Sequence, residues 1–277
     1  MISINTNYGG IFAAKASSQS QASVDSAMEK LSTGKRINFA KDDAAGQAIA
    51  TRLNAEIDGL AMASRNAADA QSMLDTAEGA LTETHTILLR MRELAVQSAN
   101  GTLTDADRDH TDAEFQQLGA EIKRIAENTK WAGVTLIDGD KATGNNPLSF
   151  QIGEGANQTI SVAIADMDVN ATGIALDDDD LQSATNAQTA IAALDTAIAT
   201  VSTERGKLGA VSNRLTSTMN NLDQVNINLS NSKGRIEDAD FAAETGNLAK
   251  GQILQQAATA MLAQANASKQ QVLTLIR

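Results

Sequence analysis

Leucine and alanine recur every seven residues along the first third of the chain. The row consists of Leu53, Leu60, Ala67, Leu74, Leu81, Leu88 and Ala95. A companion row lies three residues further on and consists of Ala63, Ala70, Ala77, Thr84 and Met91. Two rows at this spacing are typical of a coiled-coil helix. They predict one helix from about Gly46 to Asn100, which at 1.5 Å per residue would be about 80 Å long. Such a helix is longer than a compact domain and indicates a rod.

A second heptad row predicts a second long helix in the last third of the chain. It consists of Leu194, Val201, Leu208, Leu215, Leu222, Leu229 and Ile236. We expect the two stripes to pack antiparallel. The predicted rod core consists of Leu53, Leu60, Leu74, Leu81, Leu88, Leu194, Val201, Leu208, Leu215, Leu222 and Leu229. Thr104 and Asp107 resemble a capping box that opens a third, shorter helix ending near Asn128.

The middle of the chain changes to the two-residue alternation that is typical of strands. Predicted strands cover residues 134–137, 148–152 and 160–164. The predicted fold class is therefore mainly α: a long antiparallel coiled-coil rod with a small β-hairpin insert at about 131–180. Gly234 is expected to end the second long helix. A last helix is expected from about Asp238 to near the C-terminus.

Both ends of the chain avoid charge. Residues 1–14, 16–24 and 251–268 contain no Asp, Glu, Lys or Arg. Chain ends are normally solvated, and helices that are apolar nearly all round must be buried. Because one pair of helices cannot enclose itself, we expect other copies of the chain to cover these ends. The predicted assembly residues are Val24, Met28, Leu31, Phe241, Leu248, Ile253, Leu254, Ala257, Met261 and Leu262.

The amino-acid composition argues against several classes of function. The chain has 277 residues, a net charge of −12, no cysteine and only 3% aromatic residues. Zero cysteine excludes a disulfide scaffold, a thiolate metal site and a cysteine nucleophile. The acidic balance argues against binding of nucleic acid or anionic membranes, which need clustered Lys and Arg.

Candidate chemistry is sparse. His85 and His110 lie far apart on two predicted helices, and a solvated helix face explains them better than a metal site. The Asp177–Asp180 run lacks the spacing of a calcium loop, and Gly153 and Gly155 are explained as a turn. We predict no catalytic residue, no cofactor and no metal ion.

Longer motifs identify a family. They are residues 31–38 (LSTGKRIN), 41–50 (KDDAAGQAIA), 63–67 (ASRNA), 92–100 (RELAVQSAN), 230–240 (SNSKGRIEDAD), 252–257 (QILQQA) and 272–277 (VLTLIR). Together they resemble bacterial flagellin, over roughly residues 1–140 and 190–277. The chain resembles a short flagellin with little or no added surface domain. Three glycines lie inside the predicted helices, and each lowers helix stability by about 1 kcal/mol relative to Ala. They are Gly119, Gly206 and Gly251.

The resemblance implies a two-part subunit. Residues 1–43 and 236–277 would form an inner domain of paired terminal helices, and residues 44–235 an outer helical rod. It also implies three partners besides other subunits: an export chaperone on the C-terminal helix, a filament cap and hook-junction proteins. The family's contact pattern for the immune receptor toll-like receptor 5 falls on Arg90, Leu94 and Glu114.

The function implied is that of a structural subunit which polymerises into the extracellular flagellar filament for swimming. No cleavable leader is expected from the first residues, and export by a type III route is implied. Two alternatives stay open: a hook–filament junction protein of the same superfamily, and a surface carbohydrate-binding adhesin. An enzyme is not expected, because no cluster of nucleophile, base and orienting residue can be named.

Overall fold

The protein is built mainly from five helices in the residues described by the structure, a computed structural model covering 6–141, 146–169, 174–176 and 180–275. The helices are α1 (Tyr8–Thr33), α2 (Ala44–Ser98), α3 (Asp105–Asn128), α4 (Ala184–Glu237) and α5 (Phe241–Leu275). The strands are β1 (Lys130–Trp131), β2 (Val134–Thr135), β3 (Leu148–Gln151) and β4 (Thr159–Val162). The predicted mainly α class is confirmed.

The chain divides into two compact units. One unit contains the residues up to Ile57 together with those from Ile227 onward, and the other contains Asp58–Asn226. These boundaries lie inside α2 and α4. The sequence places its functional division elsewhere, at 43/44 and 235/236, and that division stays a prediction about the assembled protein.

Within the unit formed by residues 58–226, α2 and α4 run antiparallel. Cross-helix hydrogen bonds fix their direction. Gln71 Nε2 donates to Ser212 Oγ at 2.8 Å, Arg205 Nε donates to Glu78 Oε1 at 2.8 Å and Arg92 Nε donates to Asp195 Oδ1 at 2.6 Å. As residue numbers rise on α2, those of its partners on α4 fall.

The heptad leucines form the core of this unit. Leu81, Leu88, Leu194 and Leu215 have no exposed surface. Of the eleven residues named for the rod core, ten are buried along their respective helices, and Leu229 is half-buried. A heptad repeat keeps one face of each helix turned toward its partner, which explains the burial.

Helix α3 packs its own apolar face onto the same core. Thr104 caps it: the hydroxyl of Thr104 accepts from the Asp107 N–H at 3.3 Å, and the Asp107 carboxylate accepts from the Thr104 N–H at 3.1 Å. This is the capping box expected from the sequence. Phe115 and Ile122 are buried in the core cluster. The helix ends at Asn128, as predicted.

Two antiparallel strand pairs follow α3. β1 pairs with β2, with Trp131 opposite Val134, and β3 pairs with β4, with Phe150 opposite Ile160. Strand β1 is absent from the prediction, because two residues are too short to show alternation. Ala132 and Gly133 between β1 and β2 both have positive φ, of 49° and 85°. That geometry closes a two-residue hairpin and starts the pairing.

The expectation that Gly234 ends the second long helix is wrong. α4 continues through Gly234 to Glu237. A single glycine in a helix costs only about 1 kcal/mol, which the neighbouring turns can absorb. The break comes at Asp238–Asp240, where the Asp240 carboxylate accepts from the N–H groups of Ala242 and Ala243 at 2.9 and 3.2 Å. Asp240 thus caps α5.

Candidate assembly surface of the paired terminal helices

Helices α1 and α5 lie side by side and antiparallel. Near one end of the pair, Asn7 Nδ2 donates to Asn266 Oδ1 at 3.1 Å. Near the other end, Lys30 Nζ forms an ion pair with Glu244 at 3.2 Å. Low residue numbers on α1 therefore face high residue numbers on α5, over most of the length of α1.

Small residues form the seam between the two helices. The residues buried along it are Gly10, Ala13, Val24 and Ala27 of α1 and Gly251 and Ala258 of α5. A Cβ placed on Gly251 would lie 2.8 Å from Val24 Cγ2, which is closer than carbon atoms that are not bonded to each other approach. Gly251, which weakens the helix when judged from sequence, is therefore what allows α5 to approach α1.

Large apolar side chains of the same pair point away from the seam. They are Tyr8, Ile11, Phe12, Met28, Phe241, Ile253, Leu254 and Met261. Their exposed fractions range from 48% for Leu254 to 76% for Phe12. Single exposed apolar residues are common on proteins, but eight on one helix pair form an unusually apolar surface. We call these eight residues the terminal apolar surface.

A groove of about 820 Å³ runs along α1 and α5. Phe12 and Leu254 line it together with Met261, and small or amide side chains complete its walls. Lys250 is the charged residue among those that line it. A groove of this chemistry suits an apolar segment of another protein better than a charged ligand.

The predicted assembly residues are divided in the structure. Val24 is buried in the seam, and Leu31, Leu248 and Leu262 are half-buried. The remaining six, Met28, Phe241, Ile253, Leu254, Ala257 and Met261, are exposed. Tyr8, Ile11 and Phe12 were not named from the sequence, although the charge-free run at residues 1–14 could have indicated them.

The loops that follow α1 and α4 are tied together. Arg36 N donates to the Glu237 carbonyl at 2.7 Å, and Ala239 N donates to the Gly34 carbonyl at 3.0 Å. Between these bonds the Lys35 ammonium lies 2.5 Å from the Glu237 carboxylate. The two chain reversals next to the terminal helices therefore hold each other in place.

Electrostatics at this junction depend on Glu237, whose carboxylate is nearly buried. The hydrogen bond from Lys35 holds the pKa of the Glu237 carboxyl below its ordinary value, and the charge of Lys233 acts in the same direction. Burial alone would raise this pKa, so the downward shift is due to the ammonium groups of Lys35 and Lys233.

The three residues of the receptor-contact pattern lie in the other unit. Arg90 forms an ion pair with Glu114 at 2.8 Å and another with Glu93 at 3.1 Å. The hydrogen bond with Glu114 raises the pKa of the Arg90 guanidinium. Arg90 and Glu114 are exposed, whereas Leu94 is 2% exposed and belongs to the core cluster. The structure thus brings Arg90 and Glu114 together on the surface and buries Leu94 in the core.

Other candidate chemistry gains little support. In the part of the chain that the structure describes, no three His, Cys, Asp or Glu side chains come together as a metal site would require. His85 is half-buried on α2 and His110 is exposed on α3. Asp177, Asp178 and Asp179 lie outside the described residues. Among the described helices, none combines the length and apolarity that crossing a membrane needs.

Comparisons with known proteins agree with the motifs. The model of the bacterial flagellin N-terminal helical region matches residues 4–142, and that of the C-terminal helical region matches residues 191–276. The chain is 46% identical to the flagellin of Halalkalibacterium halodurans over 251 residues, covering 91% of each protein. It is 43% identical to the flagellin of Bacillus subtilis, covering 99% of each. The crystal structure of Bacillus cereus flagellin has a TM-score of 0.51 and 37% identity, covering 57% of this chain and 88% of that one. The resemblance is confirmed, and the chain belongs to the bacterial flagellin family.

Proposed function

We propose that this flagellin polymerises into the extracellular flagellar filament through the terminal apolar surface of α1 and α5. One observation carries the proposal: the seam between the two helices buries mainly glycine and alanine, whereas their large apolar side chains face outward. In this proposal residues 1–43 and 236–277 act as the inner, assembling part of the subunit. Residues 44–235 form its outer part.

Burial of the outward-facing side chains drives the association. Complete burial of one large apolar side chain contributes about 1.5–3 kcal/mol. The surface must meet a different surface of the next subunit, because a self-complementary contact would close into a dimer. Contacts that repeat without closing generate a helical polymer, which is the form of a filament.

Substitution of Ile253 tests the surface. Ile253 is 66% exposed, so Ile253→Ser leaves the helix pair of one subunit nearly intact. We expect the critical concentration for polymerisation to rise roughly tenfold or more, since about 1.5 kcal/mol or more of burial is lost. Val225→Ser is the matched control, because Val225 is also exposed but lies on α4. Equal effects of the two substitutions would contradict the proposal.

We further propose that ordering of the terminal helices is coupled to assembly. A free monomer leaves the terminal apolar surface in water, which weakens the pair relative to the rest of the chain. Amide hydrogen exchange is expected to show low protection of residues 1–40 and 240–277 in the monomer and high protection in the filament. Equal protection in both states would contradict the coupling.

The same surface supports the proposed partners. An export chaperone would cover Ile253, Leu254 and Met261 of α5 before assembly, and the filament cap and hook-junction proteins would contact subunits at the two filament ends. Ile253→Ser is therefore expected to weaken chaperone binding in a pull-down of the purified chain, whereas Val225→Ser is not. A chaperone that binds both variants equally would exclude this site.

Recognition by toll-like receptor 5 is proposed to depend on Arg90 and Glu114, which are exposed and paired. Leu94 would act indirectly, by supporting this surface from the core. Soluble monomer is expected to activate receptor-bearing cells, and Arg90→Ala to reduce that activity without lowering the melting temperature substantially. An inactive monomer would exclude recognition.

Electron microscopy distinguishes the alternatives. The flagellins are structural proteins, and we propose no catalytic activity for this member. Purified protein is expected to form long tubes. Short caps would favour the hook–filament junction alternative, and monomers that bind glycans would favour the adhesin.

A further inference from the structure

The turn between α2 and α3 contains a reactive dipeptide. Asn100 is followed by Gly101, and no other asparagine of the 277-residue sequence precedes a glycine. The backbone nitrogen of the residue after an asparagine can attack the side-chain amide carbon Cγ and close a five-membered ring. Glycine favours this attack, because it has no Cβ to obstruct the approach.

Local geometry prepares the attack. Asn100 Oδ1 accepts from the Thr102 N–H at 3.3 Å, which folds the side chain over its own C-terminal peptide. The Asn100 carbonyl accepts from the Leu103 N–H at 3.3 Å, so residues 100–103 form a reverse turn. Asn100 and Gly101 are both exposed. Among the described residues, the Gly101 N–H donates no hydrogen bond that would hold it away from the reaction.

The buried guanidinium of Arg108 lies at the Asn100 backbone carbonyl, which also takes part in the reaction. The side chain of Arg108 is 9% exposed, and its Nη2 donates to the Asn100 backbone carbonyl at 3.1 Å. Its Nε donates to the Ser98 carbonyl at 3.0 Å. Its carboxylate partner, Asp105, has a side chain that is 93% exposed. Arg108 is therefore fixed beside Asn100, and the Asp105 carboxylate with which it pairs is exposed to solvent.

We propose that Asn100 is a site of spontaneous deamidation that yields isoaspartate. Gly101 N forms a bond to Asn100 Cγ, and the bond from Cγ to Nδ2 breaks. Ammonia leaves and carries away the proton of the Gly101 N–H. The succinimide ring then adds water at the former backbone carbonyl carbon, and the bond from that carbon to Gly101 N breaks. The chain now runs through Cγ, and the former carbonyl is a free carboxylate.

Arg108 directs the opening of the ring. The oxygen that Arg108 contacts is the one that carries negative charge when water adds to this carbonyl. In the product the same oxygen is part of a carboxylate, so Arg108 donates to a charged acceptor instead of a neutral one. Opening at the other carbonyl gives aspartate and places no charge on that oxygen. The isoaspartate product is favoured for this reason.

Peptide mapping by mass spectrometry of the full-length protein, aged in mildly alkaline buffer, tests the site. We expect deamidation at Asn100 to exceed that at Asn231, which precedes a serine inside α4 and is the control in the same sample. Gly101→Ala is expected to slow the reaction roughly tenfold, because the added Cβ restricts the approach. The space around residue 101 is open, so this variant keeps the fold. Equal rates at Asn100 and Asn231, or in the variant and the natural sequence, would overturn the site.

A second variant tests the role of Arg108. Labelling by an isoaspartate methyltransferase measures isoaspartate, and comparison with the total deamidation at Asn100 from peptide mapping gives the ratio of isoaspartate to aspartate. Arg108→Lys keeps the charge but removes the planar guanidinium, which donates to both the Ser98 and the Asn100 carbonyl. We expect the ratio to fall roughly threefold. Circular dichroism establishes that the variant is folded. An unchanged ratio would overturn the directing role of Arg108 and leave the site itself standing.

Discussion

Gly251 in α5 provides the sharpest test of how the terminal helices pair. Replacing it by alanine adds one Cβ at 2.8 Å from Val24 Cγ2 and 3.6 Å from the Val24 backbone nitrogen. The matched substitution is Gly246→Ala in the same helix, where nothing lies within 4 Å of the new Cβ. The two changes are chemically identical and differ only in what faces them.

The expected magnitudes follow from two opposing terms. Alanine favours a helix over glycine by about 1 kcal/mol, so Gly246→Ala should stabilise α5. At Gly251 the same gain is opposed by overpacking against Val24, which costs about 1–3 kcal/mol. The helix term is the same in both variants and cancels, so they differ by about 1–3 kcal/mol, which corresponds to a critical concentration for polymerisation roughly 5- to 150-fold higher for Gly251→Ala.

Light scattering over a concentration series measures the critical concentration of each variant. Adding Val24→Ala to Gly251→Ala removes the clashing methyl group and should recover part of the loss. If Gly251→Ala polymerises at the same concentration as Gly246→Ala, or at a lower one, then α1 and α5 do not approach each other at this point in the filament.

Three further predictions concern the stability of the subunit. Leu81→Ala, at a side chain with no exposed surface, should lower the free energy of unfolding by about 2–5 kcal/mol, whereas the exposed Leu89→Ala should change it by about 0.5 kcal/mol or less in urea titrations. Because the pairing with Lys35 lowers the pKa of Glu237, its contribution to stability is present above about pH 4.5 and is lost as the pH falls through the lowered pKa; filaments of Glu237→Gln should show a weaker dependence of melting temperature on pH in that range, and an unchanged profile would contradict the assignment. Thr104→Ala removes the cap of α3 and should cost about 1 kcal/mol in thermal melts, while a loss near zero would mean that the cap is redundant.

The sequence is enough to predict that α2 and α4 are helices and which of their faces are buried. A heptad repeat specifies which side of a helix is apolar, and leucines such as Leu74 and Leu208 are buried as that pattern predicts. The capping box at Thr104 was equally predictable, because it depends on residues three positions apart.

The row of α4 that lies three residues before the leucine row shows where the pattern no longer identifies contacts. This row begins with Ile191 and Ile198 but continues with Arg205 and Ser212. Their partners, Glu78 and Gln71, are 127 and 141 residues away in the chain. No local pattern identifies such partners, since only the antiparallel register of the two helices brings them together.

The periodicity, the charge-free ends and the family can be recognised from the order of the amino acids alone. The rotation of the terminal helices depends instead on how α1 and α5 pack. α5 has few charged residues and no distinct apolar stripe, so its sequence does not indicate which side faces α1. Ala257 was predicted for assembly and is exposed, while its neighbour Ala258 is buried in the seam. Successive residues of a helix differ by about 100° in direction. The close approach at Gly251 selects which of these directions faces α1, and the large apolar side chains remain exposed on the other sides.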